Sequence, residues 1–178
     1  MKKVSISILI LLIGIGLIGC NSGMAKEPGI EDAPDNGQTP GIEGYVLGKK
    51  GRSILVVGSV PKDFSGTGGV KEFYDAIWFS NAPKNVSIGQ KVQVWYSFVQ
   101  ESYPGQSKAD KVAVLPDIRP EGARLTEAKA IAQALSEQTG PKVGVPVIKG
   151  ADYDQTSKMW RIVLRYGEDE SPVQIEDK

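Results

Sequence analysis

The spacing of hydrophobic residues changes between Pro116 and Thr126 of this chain. Before that point hydrophobic residues alternate with polar ones in short runs, which is the period of β-strands. After it they first recur every three to four residues, which is the period of a helix. One period cannot serve both elements, so the change predicts an α+β chain with an all-β part first. Of the 178 residues 40% are hydrophobic, enough for two small cores.

Residues 41–116 are expected to form the first folded part. Strands are predicted at residues 42–48, 52–58, 71–80, 91–99 and 109–115. Five short strands without a helix favour a small closed or nearly closed barrel, because closure removes exposed strand edges. In strand 91–99 the residues expected to face the core are Val92, Val94, Tyr96 and Phe98.

Four aromatic residues of this part are candidates for ligand or partner binding. Strand alternation points Trp78 and Trp95 away from the barrel centre. With Tyr74 and Tyr103 they could form a platform that stacks a sugar ring, a base or a peptide side chain. They could instead pack under the second part or under the loop at residues 60–70. We favour the second interpretation, because soluble domains seldom expose large apolar surfaces.

Residues 119–178 are expected to form a helix followed by an antiparallel hairpin. Thr126 is a natural N-cap, and Gly140 with Pro141 is a typical helix stop. The predicted apolar face of the helix consists of Ala128, Ile131, Ala132 and Leu135. Strands are predicted at residues 143–149 and 158–166, and the acidic run 168–170 is interpreted as a solvated loop.

The first forty residues indicate export. Residues 1–19 have two lysines, then an apolar run and a small residue, which is the pattern of a secretory signal peptide. Residues 20–40 begin with Cys20 and are then rich in proline, glycine and acids, which predicts a disordered tether.

Composition excludes several kinds of chemistry. The chain has no histidine and one cysteine, so zinc sites built on thiolate and imidazole, Ser-His triads and Cys-His dyads cannot form. The formal net charge of zero argues against nucleic-acid binding. Asp152 and Asp154 resemble the start of a calcium loop but are better explained as turn residues, because the loop glycine and the distant glutamate are missing. We therefore expect no catalytic residues, no metal and no cofactor.

An envelope enzyme is the alternative to a binding module. A carbohydrate hydrolase would need two carboxylates that face each other across a cleft. The acids available for this role in the first part are Asp63, Glu72, Asp75, Glu101 and Asp110. They are scattered over loops and strand ends, so we favour the non-enzymatic interpretation.

Three resemblances add to these expectations. Leu17-Ile18-Gly19-Cys20 resembles a bacterial lipobox, which implies cleavage before Cys20 and a lipid on its sulfur. The segments 43–46, 76–80, 88–96 and 111–116 resemble uncharacterised lipoproteins of Gram-positive spore-formers, which implies a barrel like the oligonucleotide/oligosaccharide-binding (OB) fold. Residues 125–132 followed by the strand at 160–164 are similar to PepSY-type domains, which implies noncovalent modulation of an envelope peptidase.

Taken together, these features predict a lipoprotein anchored through Cys20 on the outer face of the cell membrane. It would act as a non-enzymatic binding or modulator module, with an envelope protein or peptidase as its partner. The identity of the ligand or partner stays open.

Overall fold

The computed structural model describes residues 39–139 and 143–178. The predicted signal peptide, Cys20 and nearly all of the tether lie outside these residues. The elements in chain order are β1 (Ile42–Lys50), β2 (Ser53–Gly58), β3 (Ala76–Ser80), β4 (Lys91–Trp95), β5 (Val99–Gln100), β6 (Gly105–Lys108), β7 (Lys111–Val114), α1 (Glu127–Ser136), β8 (Pro146–Asp154), β9 (Met159–Tyr166) and β10 (Asp169–Glu176). The described chain is mostly β with one α-helix, in the α+β class that the change of period predicts. Within the described ranges, no helix is long and apolar enough to cross a bilayer.

The first sheet has seven strands in the order β5-β6-β3-β2-β1-β4-β7. Its neighbouring strands are antiparallel except β3 and β6, which are parallel. In the part of the chain described here β5 and β7 do not pair, so the expectation of a closed barrel is wrong for this strand order. The first sheet also has more strands than the five expected. The strand expected at 91–99 ends at Trp95, and an unexpected strand, β6, pairs with β3.

The two faces of the first sheet belong to different cores. One face forms a buried cluster of its own, which contains Ile42, Val46, Ile54, Val56, Ile77, Phe79, Ala82, Val86, Val92, Val94, Ala109 and Val112. Val92 and Val94 therefore face inward as predicted, and Tyr96 packs against the same cluster. Phe98 does not, and its side chain is 72% exposed. It lies beyond the end of β4, where the alternation of a paired strand no longer sets its direction.

The second sheet is an antiparallel meander in the order β10-β9-β8. β10 corrects the expectation of a solvated loop at its start, because all eight of its residues pair with β9. Its acidic residues and Pro172 are unfavourable for a strand, so the local sequence does not predict one here. Its buried Ile175 and half-buried Val173 face inward on alternate positions.

Helix α1 packs against all three strands of the second sheet. It begins where predicted, and the Thr126 hydroxyl accepts a hydrogen bond from the Lys129 amide at 3.4 Å. Its buried residues are Ala128, Ala130, Ile131 and Ala134, whereas the predicted Ala132 and Leu135 are only half-buried. The buried face is thus rotated toward Ala130 and Ala134, which lie in a buried cluster that also contains residues of the first part.

The second face of the first sheet shares one core with the helix and the second sheet. Leu47, Leu55, Val57, Tyr74 and Ala76 of the first part lie in the same buried cluster as Ile131, Ile148 and Trp160. A polar contact reinforces this junction, because the Tyr45 hydroxyl donates to Glu127 Oε1 at 2.7 Å. The junction is thus a packed interior that fixes how the two parts face each other.

Candidate functional site

A groove of about 500 Å³ opens at the junction of the two parts. One wall is the segment before β3 together with Tyr103, and the other is the start of β8 and the end of β9. The lining residues are Val70, Lys71, Glu72, Phe73, Tyr74, Tyr103, Gly144, Val145, Val147, Arg165, Gly167 and Glu168. Because neither part forms it alone, an occupant would contact both parts at once.

A charged bridge of three side chains, Glu72, Lys149 and Arg165, crosses this junction. Lys149 Nζ donates to Glu72 Oε2 at 2.7 Å, and Arg165 Nη1 donates to the same oxygen. Arg165 Nη2 also donates to the backbone carbonyl of Glu72 at 3.1 Å. One carboxylate from the first part therefore holds two cations of the second sheet.

The electrostatics of the bridge shift two pKa values. The hydrogen bond from Lys149 holds the pKa of Glu72 below its ordinary value, with the charges of Lys149 and Arg165 acting in the same direction. The hydrogen bond to Glu72 likewise raises the pKa of Lys149, against a smaller effect of burial. Both groups are therefore charged at neutral pH, and with the Arg165 guanidinium the three side chains of the bridge carry a net charge of +1.

Tyr74 lies under the bridge. Its side chain is 5% exposed, with Lys149 Nζ 5.6 Å and the Arg165 guanidinium carbon 4.9 Å from the ring centroid. Lys149 Nζ is also 3.3 Å from the Tyr74 hydroxyl. The ring thus orients the two cations through cation–π contacts and presents little of itself to solvent.

Tyr103 is the exposed aromatic residue of the groove. Its ring centroid is 5.7 Å from that of Phe73, which in turn lies 5.5 Å from that of Phe64. The Tyr103 hydroxyl donates to the Tyr74 carbonyl at 3.4 Å. These contacts form a row of rings that joins the loop before β6 to the loop before β3.

The two tryptophan candidates lie apart from this row. Trp78 is half-buried against the shared core, with Lys50 Nζ 5.3 Å from its ring. Trp95 is 8% exposed, has Lys111 Nζ 5.2 Å from its ring and lines a separate surface pocket. β2 and β1 lie between β3 and β4, so the structure does not bring Trp95 to Tyr74 and Tyr103. That these four aromatics bind a ligand stays a prediction.

Three of the carboxylates considered for hydrolysis have partners within the first part of the chain, and Glu72 belongs to the charged bridge. Asp63 accepts from the amide and hydroxyl of Ser65, Asp75 pairs with Lys62, and Asp110 accepts from the Ser97 hydroxyl. The Ser65 hydrogen bonds lower the pKa of Asp63. Among residues 39–139 and 143–178, no group of three or more His, Cys, Asp or Glu side chains could hold a metal ion.

Asp154, considered above for calcium, accepts hydrogen bonds from the Thr156 amide and the Ser157 hydroxyl, both at 2.8 Å. These bonds close the turn between β8 and β9, which is the role that turn chemistry assigns to the residue.

Sequence reasoning missed Lys149 and Arg165 as site residues. In the sequence Arg165 is one of several polar residues in an alternating strand, and nothing marks it as a site residue. Lys149 lies at a bulge, between Ile148 and Gly150, where the register of β8 shifts. A β-bulge re-aims a side chain, and no local pattern in the sequence announces it.

Fold and site together define a small two-sheet α+β protein with a groove between its parts. Residues 43–116 match the family model described as "Protein of unknown function (DUF3221)". The match covers 74 of the 178 residues, all in the first part, and fits the expected resemblance to an uncharacterised family there. No curated protein and no solved structure matches the chain.

Proposed function

We propose that this protein is a non-enzymatic binding or modulator module, anchored to the outer face of the cell membrane by a lipid on Cys20. Its partner would be a segment of an envelope protein, a peptidase among the candidates, held in the junction groove. The observation that carries the proposal is the groove itself, whose aromatic and aliphatic walls come from both parts of the chain. Such clefts between packed units are the usual place for ligands.

We further propose that the first sheet is an OB-like barrel interrupted at Ala109 and Asp110. In support, one run of chain supplies both β6, which pairs with β3, and β7, which pairs with β4. At the interruption the Ala109 amide donates to the Ser80 carbonyl at 3.0 Å, and the Asp110 amide donates to the Trp95 carbonyl at 2.9 Å. This run would join the two sides of the sheet as a fifth, bent strand.

The usual ligand surface of OB folds argues for a binding site elsewhere in this chain. OB folds bind oligonucleotides and oligosaccharides on the face of their second and third strands. Here the outward residues of β2 and β3, Leu55, Val57 and Ala76, are buried in the core shared with the helix and second sheet. An OB-like mode of binding is therefore blocked, and the groove is the open surface beside it.

The alternative, a carbohydrate hydrolase, has no supporting observation. A general acid for glycoside cleavage needs a raised pKa so that it is protonated near neutral pH. The hydrogen bonds from Lys149 and Ser65 lower the pKa values of Glu72 and Asp63, the opposite direction. Both groups act as acceptors within the fold.

Photocrosslinking in whole cells tests the proposed site. A photoreactive residue placed at Glu168, an exposed groove residue, should capture an envelope protein. The matched control is Gln155, an exposed turn residue at the other end of the second sheet. Adding Val145→Asp, checked for folding by circular dichroism, should remove the product at position 168. Identical products from positions 168 and 155 would contradict a partner site in the groove.

The anchor is tested separately. Cys20→Ala should abolish partitioning of the mature protein into detergent and stop normal signal cleavage. Protein that stays membrane-bound at its processed size after this substitution would contradict lipidation.

A further inference from the structure

Two loops leave the first sheet at the end where the chain enters it. β2 and β4 run antiparallel to β1, so both end where β1 begins. β3 is antiparallel to β2 and parallel to β6, so β3 and β6 begin there. The loops at residues 59–75 and 96–104 therefore emerge beside Gly41, and we call this surface the entry end.

The entry end carries most of the exposed large hydrophobic side chains. Eight such side chains are exposed in the part of the chain that the structure describes. Five of them belong to these two loops: Val60, Phe64, Val70, Phe98 and Tyr103. The other three are Ile88, Ile118 and Val143. Val60 and Phe98 are 76% and 72% exposed, well beyond what a half-covered core residue shows.

The first of these loops has a defined conformation that holds its apolar side chains outward. Every residue from 60 to 71 is exposed. Even so, Lys62 and Phe73 exchange backbone hydrogen bonds, and the Phe64 amide donates to the Val70 carbonyl at 3.0 Å. Gly69 allows the fold of the tip, because a Cβ there would lie 2.8 Å from that of Phe64. The loop is thus a hydrogen-bonded projection with a ring at its tip.

The charges of the entry end do not oppose contact with an anionic surface. Two acidic side chains of the first loop pair with cations, Glu72 with Lys149 and Arg165, and Asp75 with Lys62. Asp63 accepts hydrogen bonds from the neutral Ser65 and keeps its charge, which the second cation of the bridge offsets in the total. Lys71 and Glu101 are exposed and offset each other. Contact would therefore depend on apolar burial more than on charge.

We infer that the entry end rests on the lipid bilayer, with Phe64, Phe98 and Val60 in its interfacial layer. The inference rests on the proposed lipid anchor. Twenty residues separate Cys20 from Gly41, and a chain of that length spans at most about 70 Å. An anchored chain therefore keeps the folded part beside the bilayer, and it enters the fold at this apolar end. Shallow insertion of aromatic and aliphatic side chains is a common way for anchored proteins to settle on a membrane.

Fluorescence quenching by lipids tests the orientation. Cys20 is the only natural cysteine and would be blocked by lipid, so one introduced cysteine gives a single labelling site. The full-length lipidated protein carries Val60→Cys or Phe98→Cys, labelled with an environment-sensitive dye. The control is Ile118→Cys, which is 58% exposed and lies outside both loops. Each is incorporated into vesicles of phosphatidylethanolamine and phosphatidylglycerol that contain a lipid-attached quencher.

We expect quenching at positions 60 and 98 to exceed that at position 118 several-fold. In an unlipidated protein that lacks residues 1–20, Phe98→Ser should weaken vesicle binding by about ten-fold, since burying an exposed phenylalanine ring is worth about that factor. Vesicle flotation of the lipidated protein with equal quenching at all three positions would overturn the orientation and leave the anchor standing. Absence of flotation would overturn both. Dye shifts at positions 60 and 98 in cells, without quenching in vesicles, would identify a protein surface in place of the bilayer.

Discussion

Gly89 lies where the loop before β4 meets helix α1, and replacing it tests how tightly the two parts are joined. A Cβ on Gly89 would lie 1.9 Å from the carbonyl oxygen of Ala128, far inside van der Waals contact. The residue also has a φ of +91°, which disfavours any side chain. Its amide donates to the Val46 carbonyl at 2.8 Å, so the loop cannot retreat without losing that bond. Gly89→Ala should therefore push the helix away from the first sheet.

The expected cost has two components. Positive φ costs a non-glycine residue about 1–2 kcal/mol, and overpacking against a fixed backbone costs about 1–3 kcal/mol. Gly89→Ala should thus lower the free energy of unfolding by about 2–5 kcal/mol, measured by urea denaturation followed by tryptophan fluorescence. Gly51→Ala is the matched control, because Gly51 has a φ of +59° and nothing within 4 Å of its Cβ position. Gly51→Ala should lower the free energy of unfolding only by the cost of positive φ, about 1–2 kcal/mol.

The comparison between these two variants decides the outcome. Equal losses in the free energy of unfolding for Gly89→Ala and Gly51→Ala would show that α1 does not pack against the loop at Gly89. That result would contradict the close packing of the two parts. A second, separate unfolding transition in Gly89→Ala alone would show instead that the junction is the point at which the two parts come apart.

Three further predictions follow from individual contacts. Trp95→Ala should lower the free energy of unfolding by about 3–5 kcal/mol, because the ring is 8% exposed, and a loss under ~1 kcal/mol in urea denaturation would show that it contributes no packing. Glu72→Gln should remove an acid-dependent part of stability. The hydrogen bond from Lys149 lowers the pKa of Glu72 below 4.5 in the folded protein. The contribution of Glu72 to the free energy of unfolding is therefore present above pH 4.5 and disappears as the pH falls through the lowered pKa. Acid denaturation curves that are the same for Glu72→Gln and the original protein would contradict this. Tyr45→Phe should cost about 0.5–1.5 kcal/mol through the lost hydrogen bond to Glu127, and Glu127→Gln combined with it should cost less than the sum of the two single changes in a double-mutant cycle.

The strands that sequence reasoning missed share a physical cause. β6 is Gly105–Lys108, four residues without a hydrophobic side chain, and it forms because β3 offers hydrogen-bonding partners beside it. β10 contains Pro172 and charged residues, yet it pairs along its length with β9. Strand formation at such positions depends on the neighbouring strand, which lies outside any local window.

The groove was equally beyond local reasoning. Residue type and strand face make Tyr74 a candidate, residue type alone makes Tyr103 one, and the two do lie together. Strand alternation predicts which face of a sheet Trp95 lies on but not which strands lie beside it, so it cannot separate Trp95 from the two tyrosines. Two intervening strands separate it from the others.

The α+β class, the inward direction of Val92 and Val94 and the start of the helix at Thr126 could be predicted from the sequence alone. These features depend on hydrophobic period and capping, which act over a few residues. The shared core and the charged bridge, in contrast, depend on how the two sheets and the helix pack together. Glu72 meets Lys149 across 77 residues and Arg165 across 93, at a bulge and a strand end that face each other only after both sheets have packed. Contacts between residues so far apart in the sequence depend on the packing of whole strands and helices, so no local spacing in the sequence predicts them.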